Sequence, residues 1–182
     1  CYWFGSTNPH VPWTEGADVK ASLDLQRIRV PAHLPDRPEV REDIRSYYAE
    51  VQAFDRQCGA IVDQLRASGE IDNTILVMTS DNGWQMPRGL ANCYDLGVRI
   101  PMAIRWPAAF KAGRTRDDFV SIADLMPTFL EAAGLKMPAE VTAKSLLDRS
   151  RRDHLFLERE RHANVRQGDL TYPVRGIRTR DF

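Results

Sequence analysis

Apolar residues recur every three to four positions between residues 39 and 68: Ile44, Tyr47, Tyr48, Val51, Phe54, Cys58, Ile61, Val62 and Leu65. This spacing puts them on one stripe of an α-helix. Gly69 is suited to end that helix, because glycine accepts the left-handed backbone of a C-terminal cap. Past a turn at Asp72-Asn73 the period changes. Residues 74–79 form a continuous apolar, β-branched run, which predicts a strand buried on both faces, as in parallel sheets. Helix, short turn and buried strand make half of a βαβ unit. A second short strand is expected over residues 101–106, closed by Pro107. Ser121 is a cap for a helix through Ile122, Leu125, Met126, Phe129 and Leu130 that stops at Gly134. Pro127 shifts the expected start of that helix towards Asp124, since proline fits only a first turn. Residues 154–157 and 174–179 read as further strands. Residues 1–6 are aromatic and apolar and also read as a strand, like the middle of a buried one. Residues 14–38, with Pro31, Pro35 and Pro38, read as a long loop of the kind that often covers a site.

Composition narrows the class. The chain has 182 residues, 43% hydrophobic and 27% charged, which is globular and unlike a disordered segment. The expectation is a single α/β domain over 1–182. Its abrupt ends suggest a portion of a longer protein. Lys+Arg and Asp+Glu both number 25, so the formal net charge is zero. Nothing in that balance favours a nucleic-acid partner. No apolar run is long enough to cross a membrane as a helix. Cys1, Cys58 and Cys93 are odd in number and far apart, which supports neither a zinc ribbon nor a disulfide framework.

The residues with chemical potential follow from that layout. Asp81 and Asn82 stand where a strand runs out into a loop, and ligands of open α/β sheets bind at such carboxyl ends. A carboxylate and an amide carbonyl are hard oxygen donors suited to Ca²⁺ or Mg²⁺. Asp81-Asn82-Gly83 is equally an ordinary turn sequence. His10 lies between Pro9 and Pro12, which stiffen its loop, and can donate to an anion or move a proton. Arg88 can pair with an anionic group through its planar fork. Tyr94 and Asp95 are expected to organise the loop, and Arg99 to be structural. His162 lies in a charged run, residues 159–166, of the kind that is usually solvated but can border a pocket. Asp55 interrupts the helix stripe and is read as structural. No G-x-S-x-G elbow, H-E-x-x-H pair or phosphate loop occurs.

Taken in order, several stretches resemble the sulfatase family of the alkaline-phosphatase superfamily. They are Trp3 to Pro12 with Pro9-His10-Val11-Pro12, Thr79-Ser80-Asp81-Asn82-Gly83, Tyr94-Asp95-Leu96-Gly97-Val98-Arg99-Ile100-Pro101, Asp124-Leu125-Met126-Pro127-Thr128 and Ala133-Gly134-Leu135. The Pro87-Arg88-Gly89 loop and the Arg161-His162 region look closest to the N-sulfoglucosamine sulfohydrolase-like branch. The resemblance implies the C-terminal portion of an alkaline-phosphatase-like sandwich, with a mainly parallel central sheet flanked by helices. It implies hydrolysis of a sulfate ester or sulfamate on a small molecule or glycan. It implies Ca²⁺ ligands at Asp81 and Asn82, a sulfate-contacting, catalytic histidine at His10, and substrate contacts at Arg88 and His162. The attacking group would be a formylglycine, and the location periplasmic or secreted.

Two departures stand out. The formylglycine motif, Cys or Ser followed by x-Pro-x-Arg, does not occur in these residues, nor does the aspartate pair that completes the metal site and normally lies near the family's N-terminus. Leu90 stands where the family usually has a basic residue, four before Tyr94. Two other readings therefore remain open: a phosphoesterase or phosphonate hydrolase of the same superfamily, and a non-catalytic relative that binds sulfated glycans.

Overall fold

The computed structural model describes residues 1–14, 17–20, 22–163 and 166–182. They form two compact units, Cys1–Thr74 and Ile75–Phe182.

The first unit is built on one long helix. A short helix α1 (Ala17–Lys20) and a 3-10 turn (Leu25–Arg27) precede α2 (Pro38–Ala67). Pro38 occupies the first turn of α2, where a missing N–H costs nothing. Gly69, at φ +76°, ends it, and the Glu70 amide returns to the Leu65 carbonyl. The buried face differs in detail from the apolar stripe. Ile44, Ala49 and Ala53 are its buried apolar residues, while Tyr48 and Val51 stay exposed. The buried acid of the helix is Glu50, only 1% exposed, whereas Asp55 faces solvent. The loop expected over residues 14–38 is interrupted by α1 and the 3-10 turn, residues 15, 16 and 21 lying outside the described part. Arg41 staples this stretch to α2. It pairs with Asp36 at 2.5 Å and donates to the Leu25 and Ile28 carbonyls at 3.0 and 2.9 Å.

Residues 1–6 do not form the expected strand. Tyr2, Trp3 and Phe4 are 89%, 85% and 69% exposed, and no described strand lies alongside to satisfy their backbone. Aromatic, apolar composition favours a sheet only when a partner ladder exists.

In the second unit, β1 (Leu76–Thr79) pairs with β2 (Met102–Arg105), Leu76 facing Arg105 and Thr79 facing Met102. A short helix α3 (Asp95–Val98) lies in the connection. The 3-10 turn Ile122–Asp124 leads into α4 (Leu125–Ala132), and Gly134, at φ +66°, follows its end. Ser121 caps the turn, with its hydroxyl on the Ala123 amide and the Asp124 carboxylate on its own amide at 2.8 Å. Pro127 therefore falls in the first turn of α4, as its chemistry requires. β3 (Leu155–Arg159) pairs with β4 (Val174–Arg178). Both described sheets are two-stranded and antiparallel, so the mainly parallel central sheet is absent from the described residues. All four residues of β1 are half-buried, less than the cover on both faces that the apolar run predicts. Such a run carries no information on strand direction.

A second loop, residues 141–152, folds back onto α4. Asp124, 2% exposed, holds it with two carboxylate oxygens. They accept from Arg152 at 2.8 and 2.9 Å and from the Lys144 amide at 3.0 Å. The Thr128 hydroxyl donates to the Asp124 carbonyl and accepts from the Leu146 amide at 2.8 Å. Burial pushes the Asp124 carboxyl up. Its hydrogen bonds from Arg152, Ser121 and Lys144 outweigh that and hold it below the usual carboxylate range.

Candidate functional site

Asp81 and Asn82 follow β1 directly. The strand end is pinned by the Thr79 hydroxyl, which donates to the Pro101 carbonyl at 2.9 Å. The Ser80 hydroxyl donates to the Asn82 carbonyl at 2.7 Å, closing the turn. Asn82 Nδ2 donates to Asp81 Oδ1 at 2.8 Å. That bond uses the donor side of the amide, so Asn82 Oδ1 and Asp81 Oδ2 keep their acceptor capacity. Both are hard oxygens of the type that Ca²⁺ takes, and two fall short of the six to eight it needs. Among the described residues no three His, Cys, Asp or Glu side chains converge as a metal site. The donor set fits part of a Ca²⁺ centre and no more.

Three glycines lock the loop that follows. A Cβ on Gly83 would lie 1.9 Å from the Leu96 carbonyl oxygen, and one on Gly97 would lie 2.2 Å from that of Asn92. One on Gly89 would lie 2.0 Å from the Trp84 carbonyl oxygen. Backbone therefore packs on backbone at all three places. Hydrogen bonds run along the same contacts, from the Gly83 amide to the Gly97 carbonyl and from the Leu90 amide to the Trp84 carbonyl, both 2.8 Å.

Arg88 is presented by this loop. It is exposed, has φ +65°, and its guanidinium lies 5.4 Å from the centre of the Tyr94 ring. Tyr94 is the N-terminal flank of α3, and Asp95 pairs with Arg178 of β4 at 2.9 Å. Both thus organise the loop as their sequence suggested. Arg159 of β3 donates to the Ala91 carbonyl and stands 5.3 Å from the Tyr172 ring. Leu90 is half-buried within the lock. His162 is exposed, beside Arg161, which pairs with Asp169 at 2.6 Å. Asn164 and Val165 of that charged run lie outside the described residues.

His10 belongs to the first unit. It is exposed, its amide donates to the Thr7 carbonyl at 2.8 Å, and its Nδ1 lies 2.6 Å from the Val11 carbonyl oxygen. The anchor of its loop is Asn8, which is buried. Asn8 Nδ2 donates to Glu50 Oε2 at 2.5 Å, and its Oδ1 accepts from Gln57 at 3.0 Å. The Trp13 indole donates to the Pro9 carbonyl at 3.1 Å. The structure thus brings Asp81, Asn82 and Arg88 onto one continuous loop. His10 is held in the other unit, and His162 lies on the segment after β3.

Sequence reasoning missed Asn8, Glu50, Arg159, Arg178 and the three glycines. Their signals are non-local. Only the spacing of Gly83, Gly89 and Gly97 within one loop hinted that side chains are excluded there.

Residues 5–135 match the sulfatase family. The chain belongs to the sulfatase family. This places it in the alkaline-phosphatase superfamily. It is 28% identical over 180 residues to N-sulphoglucosamine sulphohydrolase of Homo sapiens, covering 93% of this chain and 35% of that protein. It is 38% identical over 110 residues to N-acetylglucosamine-6-O-sulfatase of Bacteroides thetaiotaomicron, covering 57% and 19%. A solved complex of a protein with its substrate D-glucosamine-2-N,6-O-disulfate superposes with a TM-score of 0.67 at 28% identity. That superposition covers 80% of this chain and 32% of the other. The sulfatase chain described here thus spans about a third of the length of the human relative.

Proposed function

We propose that these residues form the C-terminal portion of a sulfatase catalytic domain and carry part of its active site, for hydrolysis of a sulfuric ester or sulfamate. The observation that supports this best is the Asp81-Asn82 pair. Its two hard oxygens stand at a strand end on a loop fixed by glycine contacts, inside the stretch that matches the family. Asp81 and Asn82 are proposed as Ca²⁺ ligands, the remaining ligands coming from outside this chain. When bound, Ca²⁺ supplies positive charge to a sulfate group that gains negative charge in the transition state. Arg88 pairs with sulfate oxygens through its fork, which is already oriented by the Tyr94 ring. His10 donates an N–H to the sulfate or a proton to the leaving oxygen. His162 borders the substrate. The nucleophile, a formylglycine, and the strands of a mainly parallel sheet belong to residues not in this chain. The substrate is proposed to be a sulfated sugar, as the names of the relatives suggest for those proteins, and the location periplasmic or secreted. No helix among the described residues is long and apolar enough to cross a membrane.

The test is Ca²⁺ titration calorimetry on the polypeptide that joins these residues to the nucleophile segment. Asp81→Ala is expected to abolish Ca²⁺ binding and turnover of an aryl sulfate. Unchanged Ca²⁺ affinity would reduce the pair to a turn. The 182 residues alone are expected to hydrolyse neither an aryl sulfate nor a phosphonate ester, and sulfate release by them would overturn the assignment of the nucleophile to another segment.

A further inference from the structure

An arginine-rich cleft lies on the Ile75–Phe182 unit. It is an open cleft of about 310 Å³ lined by Arg114, Arg116, Arg149 and Arg151, with Asp117, Asp118 and Thr115 between them. Its lining carries four positive charges and two negative ones. The arginines are not equivalent. Arg116 is committed to the fold: it pairs with Asp118 and donates to the Leu146 carbonyl at 3.0 Å. Arg151 meets Asp117 only loosely, at 3.8 Å, with both side chains largely in solvent. Arg114 and Arg149 are exposed and have no ion pair or hydrogen bond among the described residues.

The backbone that carries two of these side chains is fixed. Ser150, between Arg149 and Arg151, is held by Asp148, its amide at 2.8 Å and its hydroxyl at 3.0 Å. Arg152, next along, is clamped by the buried Asp124. Residues 149 and 151 thus sit on an anchored strip, which lowers the entropy lost when their side chains meet a ligand.

We propose that this cleft binds a sulfated saccharide. Guanidinium forks match the paired oxygens of sulfate and carboxylate groups. Asp117 and Thr115 give the cleft acceptors for hydroxyl groups, which a sugar carries in number. No aromatic ring lines the cleft to stack a base. A volume of about 310 Å³ is near the lower end for small-ligand sites and suits one or two sugar units. The choice of a sulfated sugar rests on the sulfate-ester reading above, whereas the anion site stands on its own geometry.

The experiment is calorimetric titration of the polypeptide that joins these residues to the nucleophile segment, with a heparin-derived tetrasaccharide, with its desulfated form and with a single-stranded DNA oligonucleotide of equal charge. The sulfated sugar is expected to bind, more weakly as salt rises, and the other two to bind at least tenfold more weakly. Combining Arg114→Ser, Arg149→Ser and Arg151→Ser is expected to cut the affinity at least tenfold with an unchanged thermal midpoint. The control pair Arg27→Ser and Arg29→Ser should leave the affinity as it is. Equal loss in that control, equal binding of DNA, or no loss in the triple variant would each overturn the proposal. Asp81→Ala should not change tetrasaccharide affinity. If it does, the cleft is not a separate site. If that variant keeps both Ca²⁺ and saccharide binding, the catalytic assignment falls and the cleft stands.

Discussion

Two loops of the second unit are held by opposite means. Residues 83–97 are fixed where side chains are missing, with backbone packed on backbone at Gly83, Gly89 and Gly97. Residues 141–152 are fixed where a side chain is present, with Asp124 gathering Arg152 and the Lys144 amide. The first lock is mainly steric and close-range, so pH and salt reach it only through the exposed Asp95–Arg178 pair. The second is electrostatic and buried, so it fails when its charge is lost. The loop that carries Arg88 has the lock that depends less on solution conditions.

The largest expected effect is on the charged lock. Arg152→Ala leaves the Asp124 carboxylate buried without its cation and should cost about 3 kcal/mol in urea unfolding at neutral pH. That cost should fade in acid. Asp124 has a depressed folded value, so its contribution is whole above the unfolded value of about 4 and is lost as pH falls through the lower folded one. The gap between wild type and Arg152→Ala therefore narrows below pH 4, and a constant gap would show that charge is not what holds this loop.

Gly97→Ala should cost about 2 kcal/mol, because the new methyl must displace the Asn92 and Gly89 carbonyls. Its gap from wild type should be the same at neutral and acid pH. A gap that tracks pH would break the comparison. Smaller still is Arg159→Ala, at about 1 kcal/mol, through loss of its bond to the Ala91 carbonyl. Hydrogen exchange should then quicken at residues 89–92 and leave residues 141–152 unchanged.

Local signals carried much of this structure. The stripe in α2, the stop at Gly69, the Ser121 cap and the position of Pro127 all follow from residues within one or two turns of each other. The end of β1 and the placement of Asp81 and Asn82 were legible for the same reason. What was illegible depends on partners far along the chain. The strand expected at residues 1–6 needs a neighbour, and strand direction needs the pairing itself. Glu50 is buried because Asn8 meets it, 42 residues away. Asp124 read as a helix start, and its hold on Arg152 spans 28 residues.

Arg88 and Ala91 both adopt a left-handed backbone that glycine would enter at lower cost, each strained by about 1 kcal/mol. A randomised library at position 88, screened only for resistance to proteolysis, should enrich glycine and asparagine. The same library screened for binding of a sulfate ester to the assembled enzyme should return arginine. The two screens would disagree at position 88, whereas a library randomised at position 91 should return glycine in both. That split would mark residue 88 as a place where the fold yields to the ligand.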